Sequence, residues 1–159
     1  MAIDRMAALR SSSLLRDFSE VGLKVLADAT QERNVGRGVY AFRAGEPSSV
    51  LAFVARGTLQ LLARDGGAVL GEVSAGDTLG GLSLVAPGDH MVSALASNDV
   101  CLLQLSRDSF AAVQQSHPRT ALKLTLALAR DLAERLQDSR APLREFLVWQ
   151  VSKRQSEPR

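Results

Sequence analysis

Histidine is nearly missing from this chain, which has only His90 and His117 in 159 residues. A metal centre built on barrel strands needs two or three histidines converging with a carboxylate, and one of these two precedes a proline at a helix end. That argues against a histidine-rich metalloenzyme. No Ser-His-Asp arrangement can be placed either, because Ser83 and Ser93 have no candidate base other than His90. Cysteine is scarcer still: Cys101 stands alone, so no internal disulfide can form and a reducing compartment is expected. Lying in the apolar run Val100–Leu103, it reads as a core residue. An excess of charge of either sign is also missing. The formal net charge is +2, and Lys153, Arg154 and Arg159 against Glu157 supply all of it at the tail. The body is therefore neutral, without the basic face that nucleic acid demands. No apolar run approaches the ~18 residues of a membrane span. Asp4, Arg5, Arg10 and the serines 11–13 break the opening stretch, which excludes a secretory signal core. There is no low-complexity run and no internal repeat. The expectation is one compact cytoplasmic domain.

What is present changes period along the chain. Residues 1–12 read as a lead-in, loose or helical. Leu14, Leu15, Phe18, Val21, Leu23, Val25 and Leu26 recur at spacings of about three and four, a helical face with Gly22 as a break. From Asn34 the pattern becomes strand-like. Gly45-Glu46-Pro47-Ser48-Ser49 is a turn, Val50–Val54 an apolar strand, and Arg64-Asp65-Gly66-Gly67 a hairpin turn between Thr58–Ala63 and Ala68–Val73. Short strands with turns about every eight to twelve residues indicate a β-sandwich or barrel. Val92–Ala96 and Val100–Leu105 read as an antiparallel pair around Ser97-Asn98-Asp99. Ser106 caps a helix with Asp108 in its first turn, and that helix stops at His117-Pro118. His117 is then a solvated helix-end residue.

The longest helix is expected over Thr120–Ser139. One apolar stripe runs through Leu122, Leu126, Ala129, Ala133 and Leu136, and a second through Leu124, Leu128 and Leu132. A barrel covers one; the other needs a partner, which points to a homodimer. Pro142 ends or bends this helix. Leu143, Phe146, Leu147 and Trp149 lie on a short apolar helix over 141–151, a candidate surface for docking another protein, followed by a polar tail over 152–159. The stretch Gly76–Ala96 is central to all this. Gly80 and Gly81 allow close approach of backbone to a ligand, and the turn that follows would offer free amides to an anion. Equally, the pair relieves crowding at a barrel corner. The sequence leaves both readings open.

The order of elements, with Gly38, Gly45, Gly57, Gly76-Asp77 and Gly80, then Leu82 and Leu84, then Leu103-Gln104-Leu105-Ser106-Arg107-Asp108-Ser109-Phe110, resembles the cyclic-nucleotide-binding domain of the catabolite-activator type. The resemblance spans about Leu14–Ser139. It implies an α+β, mainly β fold: an eight-stranded antiparallel β-roll, jelly-roll-like, with short N-terminal helices and a long C-terminal helix, over 13–140. In that family the phosphate-binding cassette reads Phe-Gly-Glu-Leu-Ala-Leu, followed after a loop by Pro-Arg-Ala/Ser-Ala. The Glu holds the ribose hydroxyl and the Arg the cyclic phosphate. Here the cassette is Leu79-Gly80-Gly81-Leu82-Ser83-Leu84, and the Glu position holds Gly81. The Arg position falls on His90, with Met91 beside it. Neither reproduces an arginine fork, because histidine is mostly neutral near pH 7 and offers one bond at best. Two charge-assisted contacts at ~1.5 to 3 kcal/mol each are lost.

The resemblance therefore implies a stand-alone bacterial regulatory or adaptor module that is not an enzyme, needs no cofactor, binds cyclic AMP weakly and acts through protein contacts as a homodimer. The alternative is a sensor that takes a cyclic mono- or dinucleotide through a divergent cassette, Gly80 to His90. A metal-dependent cupin ranks third. Direct DNA binding is not expected, since the 17 residues after Pro142 are too few for a helix-turn-helix reader.

Overall fold

The computed structural model describes residues 2–138. Met1 and residues 139–159 lie outside the described residues, and with them the expected helix over 141–151, the tail 152–159 and the docking candidates Leu143, Phe146, Leu147 and Trp149.

Helix α1 (Arg5–Arg10) begins where Asp4 accepts from the Ala7 amide. Its Leu9 is fully buried, and Arg5 donates to the Thr30 carbonyl at 2.9 Å, so the lead-in is helical and tied to the core. A 3₁₀ turn (Ser13–Leu15) follows, then helix α2 (Glu20–Ala29), capped by Ser19, whose hydroxyl accepts from the Gly22 amide. The break expected at Gly22 is not there. Gly22 is buried inside α2, where a Cβ would sit 3.3 Å from the Phe18 ring. The interruption falls before Ser19, because a capping hydroxyl sets a helix start more firmly than one glycine breaks a helix.

Ten strands follow: β1 (Gln31–Val35), β2 (Tyr40–Phe42), β3 (Pro47–Ser48), β4 (Val50–Arg56), β5 (Thr58–Leu62), β6 (Val69–Ser74), β7 (Thr78–Leu79), β8 (Gly88–Asp89), β9 (Ser93–Ala96) and β10 (Val100–Ser106). Ten replaces the expected eight because the two-residue strands β3 and β8 pair with each other outside the two four-stranded sheets. They form two four-stranded antiparallel sheets, β1-β10-β4-β7 and β2-β9-β5-β6, with β3 and β8 paired separately. Residues 64–67 turn β5 into β6 as expected. β9 and β10, however, are not partners. β9 pairs with β2 and β5, while β10 pairs with β1 and β4 in the other sheet. The Asn98 side chain instead accepts from the Thr58 amide at 2.8 Å, tying that connection to the start of β5.

The two central strands of the first sheet show why their sequences are apolar without interruption. Period-two alternation sends Leu51, Phe53, Leu103 and Leu105 into a core shared with the helices. Ala52, Val54, Val100 and Leu102 point the other way, into the roll. Both faces are covered, so neither can be polar. Cys101 is buried in the same strand.

Helix α3 (Arg107–Ser116) starts on the Ser106 cap and ends at His117, whose exposed ring nitrogen lies 2.9 Å from the Ser116 hydroxyl. Helix α4 (Pro118–Asp138) packs its second stripe onto the helical core: Leu124 is 0% and Leu128 7% exposed. The first stripe faces out, with Leu122 60% and Leu126 57% exposed and Ala129, Ala133 and Leu136 also exposed. No helix among the described residues is long and apolar enough to cross a membrane.

Candidate functional site

The site grows out of the edge of the first sheet. β7 leaves its ladder with β4 at Leu79, and the chain must turn at once into a 3₁₀ segment, Gly81–Leu84. Gly80 makes that turn with φ +73°, a left-handed conformation that side chains disfavour, and a Cβ there would stand 2.5 Å from the Val50 carbonyl oxygen. A Cβ on Gly81 would stand 2.8 Å from the Leu128 Cδ2 of α4. Close packing thus accounts for both glycines. The amides of Gly81 and Leu82 open the 3₁₀ segment and precede its internal bonds, as the first amides of any helical turn do.

Ser83 anchors the turn from three directions. Its amide donates to the Gly80 carbonyl at 2.9 Å, its hydroxyl bonds to that of Ser48, and its carbonyl accepts from Arg107 Nε at 3.2 Å and Nη2 at 2.6 Å. Arg107 is the first residue of α3, and its own amide donates to Ser49. The cassette turn is thereby bolted to the junction of β10 and α3. Sequence reasoning missed Arg107 in this role, although the motif that contains it was legible. Arg107→Ala is expected to lower stability by about 1.5 to 3 kcal/mol, the worth of a hydrogen bond to a charged group. Denaturant midpoints would check this, and Arg107→Lys should recover only part of the loss, because it lacks the two-pronged fork.

His90 lies on a different wall. Its amide donates to the Glu46 carbonyl at 2.8 Å, its carbonyl accepts from the Gly45 amide at 2.8 Å, and its ring stacks flat on Phe42 with centroids 3.9 Å apart and planes 9° from parallel. Burial pushes the imidazole below its ordinary pKa, against the upward pull of Glu46 and Asp89. The ring is therefore neutral near pH 7 and offers an anion no full charge. Met91 is exposed, as is Leu82, whereas Leu79 and Ser83 are buried.

One residue from that stack lies a polar cluster the sequence reading did not single out. Arg43 pairs with Asp65 and sits 4.2 Å from the Tyr40 ring centroid. Asp65 also accepts from the buried Ser93 hydroxyl at 2.6 Å, and Ser93 accepts from the Ala44 amide. The Ser93 bond first, then Arg43, holds the Asp65 carboxyl below its ordinary pKa. Arg43 is thus committed to the hairpin turn and to an aromatic face. Only long-range pairing of β2, β5 and β9 assembles these residues, so no local pattern marks them. Asp77 is a turn residue that accepts from the Ser74 amide.

The sequence profile of the cyclic nucleotide-binding domain matches residues 32–117, just over half of the chain. The chain belongs to that family. Cyclic nucleotide-binding domains of the catabolite-activator type share its roll. The N-terminal domain of a transcriptional regulator from Streptomyces coelicolor A3(2) is similar over 84% of this chain and 98% of its own, with 26% identity and a TM-score of 0.72. The catabolite activator protein of Thermus thermophilus is 28% identical, covers 77% of this chain and 59% of its own, and gives a TM-score of 0.66. An uncharacterized NTE family protein of Mycobacterium tuberculosis is 28% identical over 131 residues, which are 82% of this chain and 22% of that protein. The chain thus spans about a fifth of the length of the curated relatives it matches.

Proposed function

We propose that this cyclic nucleotide-binding domain is a regulatory module that holds cyclic nucleotides weakly, pairs with a second copy through α4 and signals by contact with another protein. Gly81 carries the proposal. A glycine stands where the family grips ribose with a carboxylate, and packing against Leu128 leaves little room for a side chain. The neutral His90, stacked on Phe42, supports the same reading at the phosphate end. Removing two charge-assisted contacts leaves a micromolar site at roughly hundreds of micromolar or weaker. The modest share of the NTE family relative that the chain spans fits a module that reports to an output carried by other residues or another chain. The adaptor role and the cytoplasmic setting belong to this proposal.

Titration calorimetry with cyclic AMP and cyclic GMP is expected to show no binding tighter than about 100 µM. The double variant Gly81→Glu with His90→Arg should tighten it at least tenfold, once the Leu128 side chain swings aside. Micromolar affinity in the unaltered chain, lost in His90→Ala, would instead make it a sensor with a divergent cassette.

A further inference from the structure

The outward stripe of α4 is too narrow to hold two copies together alone. A stable contact takes about 800 Å² and roughly 20 to 30 residues from each partner, whereas Leu122, Leu126, Ala129 and Ala133 make a single row of side chains. The remainder has to come from an element beside α4. Two such elements lie on opposite flanks of the stripe, at ~100° of helical rotation per residue. Lys123, Arg130 and Glu134 turn toward the loop after the 3₁₀ turn Ser13–Leu15. Leu128 and Leu132 turn toward the cassette, where a Cβ on Gly81 would stand 2.8 Å from the Leu128 Cδ2.

Chemistry separates the two flanks. The first is charged and already paired within the chain: Arg16 with Glu134 at 3.9 Å, Arg130 with Asp17 at 3.5 Å, and Lys123 with the Asp17 carbonyl. Covering it would strip water from ions that gain no new partner. The second flank is apolar. Side chains three apart eclipse in a 3₁₀ turn, so Leu82 and Val85 stand one above the other. They are 48% and 53% exposed, while Ser83 and Leu84 between them are buried. Half-buried Leu132 continues this surface toward the stripe.

We infer that Leu82 and Val85 of the cassette turn belong to the seam between two copies of this chain, each resting against the α4 of the other copy. The inference rests on the proposed pairing through α4 and adds the cassette to it. Gly81 sets the height of the turn: without a side chain there, the backbone lies directly on Leu128 and holds Leu82 and Val85 within reach of a helix packed on the stripe. Leu128 is ten residues from each end of α4, Pro118–Asp138, so the turn meets the middle of the seam whether the two helices run parallel or antiparallel. A second copy is the occupant this surface suits, because it brings an equal uncharged stripe and an equal apolar flank, the self-complementarity of a two-fold contact. Pairing and any event at the cassette then bias one another reciprocally.

The test uses the full chain. Leu82→Asp is expected to raise the dimer dissociation constant at least about tenfold in sedimentation equilibrium, less than a charge on the stripe does, since a flank residue keeps part of its water. The Ser83 and Val85 amides close the turn onto the Gly80 and Leu82 carbonyls. In the unaltered chain their exchange should slow as protein concentration rises through the dissociation constant, and Leu122→Asp should abolish that slowing. A constant unmoved by Leu82→Asp, or exchange at these amides that is independent of concentration while the chain dimerises, overturns the inference and leaves pairing through α4 standing. A dimer that Leu122→Asp leaves intact removes the pairing through α4 and this inference with it.

Discussion

Gly80→Ala is expected to cost about 2 to 5 kcal/mol of folding stability, and the cassette turn should loosen before the rest of the roll. Two independent penalties add. A side chain held in the left-handed region costs ~1 to 2 kcal/mol. The new methyl also meets the Val50 carbonyl oxygen at 2.5 Å, a backbone atom of a central strand that cannot rotate away. Overpacking of this kind costs ~1 to 3 kcal/mol. Gly45 separates the two terms, because it shares the positive φ, +87°, while a Cβ there meets nothing within 4 Å. Gly45→Ala should therefore cost only ~1 kcal/mol. Equal shifts in denaturant midpoint for the two variants would show that contact with Val50 contributes nothing. Amide exchange at Ser83 and Val85 should rise in Gly80→Ala well before global unfolding, since the turn hangs from Ser83 and Arg107.

The same contrast explains which features the sequence discloses. Where one residue's chemistry decides, it is legible: the Ser106 cap, the stop at His117-Pro118 and the turn at 64–67 all appear where capping, proline geometry and glycine-rich turns place them. Where two distant segments decide, it is not. β9 and β10 look like a hairpin because they are adjacent apolar runs, yet they enter opposite sheets and each pairs with strands roughly thirty to seventy residues away. In the candidate site, the glycine that replaces a carboxylate is plain from the motif. The reason it stays glycine is not, because Leu128 lies far along the chain on α4. The fork of Arg107 onto Ser83 and the stack of His90 on Phe42 are hidden for the same reason. The two stripes of α4 are visible as a pair, but only packing tells which one the core takes.

That assignment sharpens the test of assembly. Leu122→Asp combined with Ala129→Asp is expected to convert a dimer into a monomer in light scattering while leaving the thermal midpoint of each copy within a few degrees. Both residues face outward, so neither substitution touches the folded core. Three leucines of the stripe, counted on both copies, bring roughly 1 to 2 kcal/mol each on losing their remaining exposure, about 6 to 12 kcal/mol gross against the cost of association. An aspartate in such a seam must shed water without a partner, at ~2 kcal/mol per side chain, so four of them, ~8 kcal/mol, weaken the pair by roughly a millionfold. Leu128→Asp makes the opposite control, because its side chain lies in the helical core against the position of Gly81, and it should unfold the domain rather than divide it. Should the double variant keep the mass of a dimer, the contact lies elsewhere. The exposed Val69 and Leu70 on β6, an edge strand, would then be the next surface to charge.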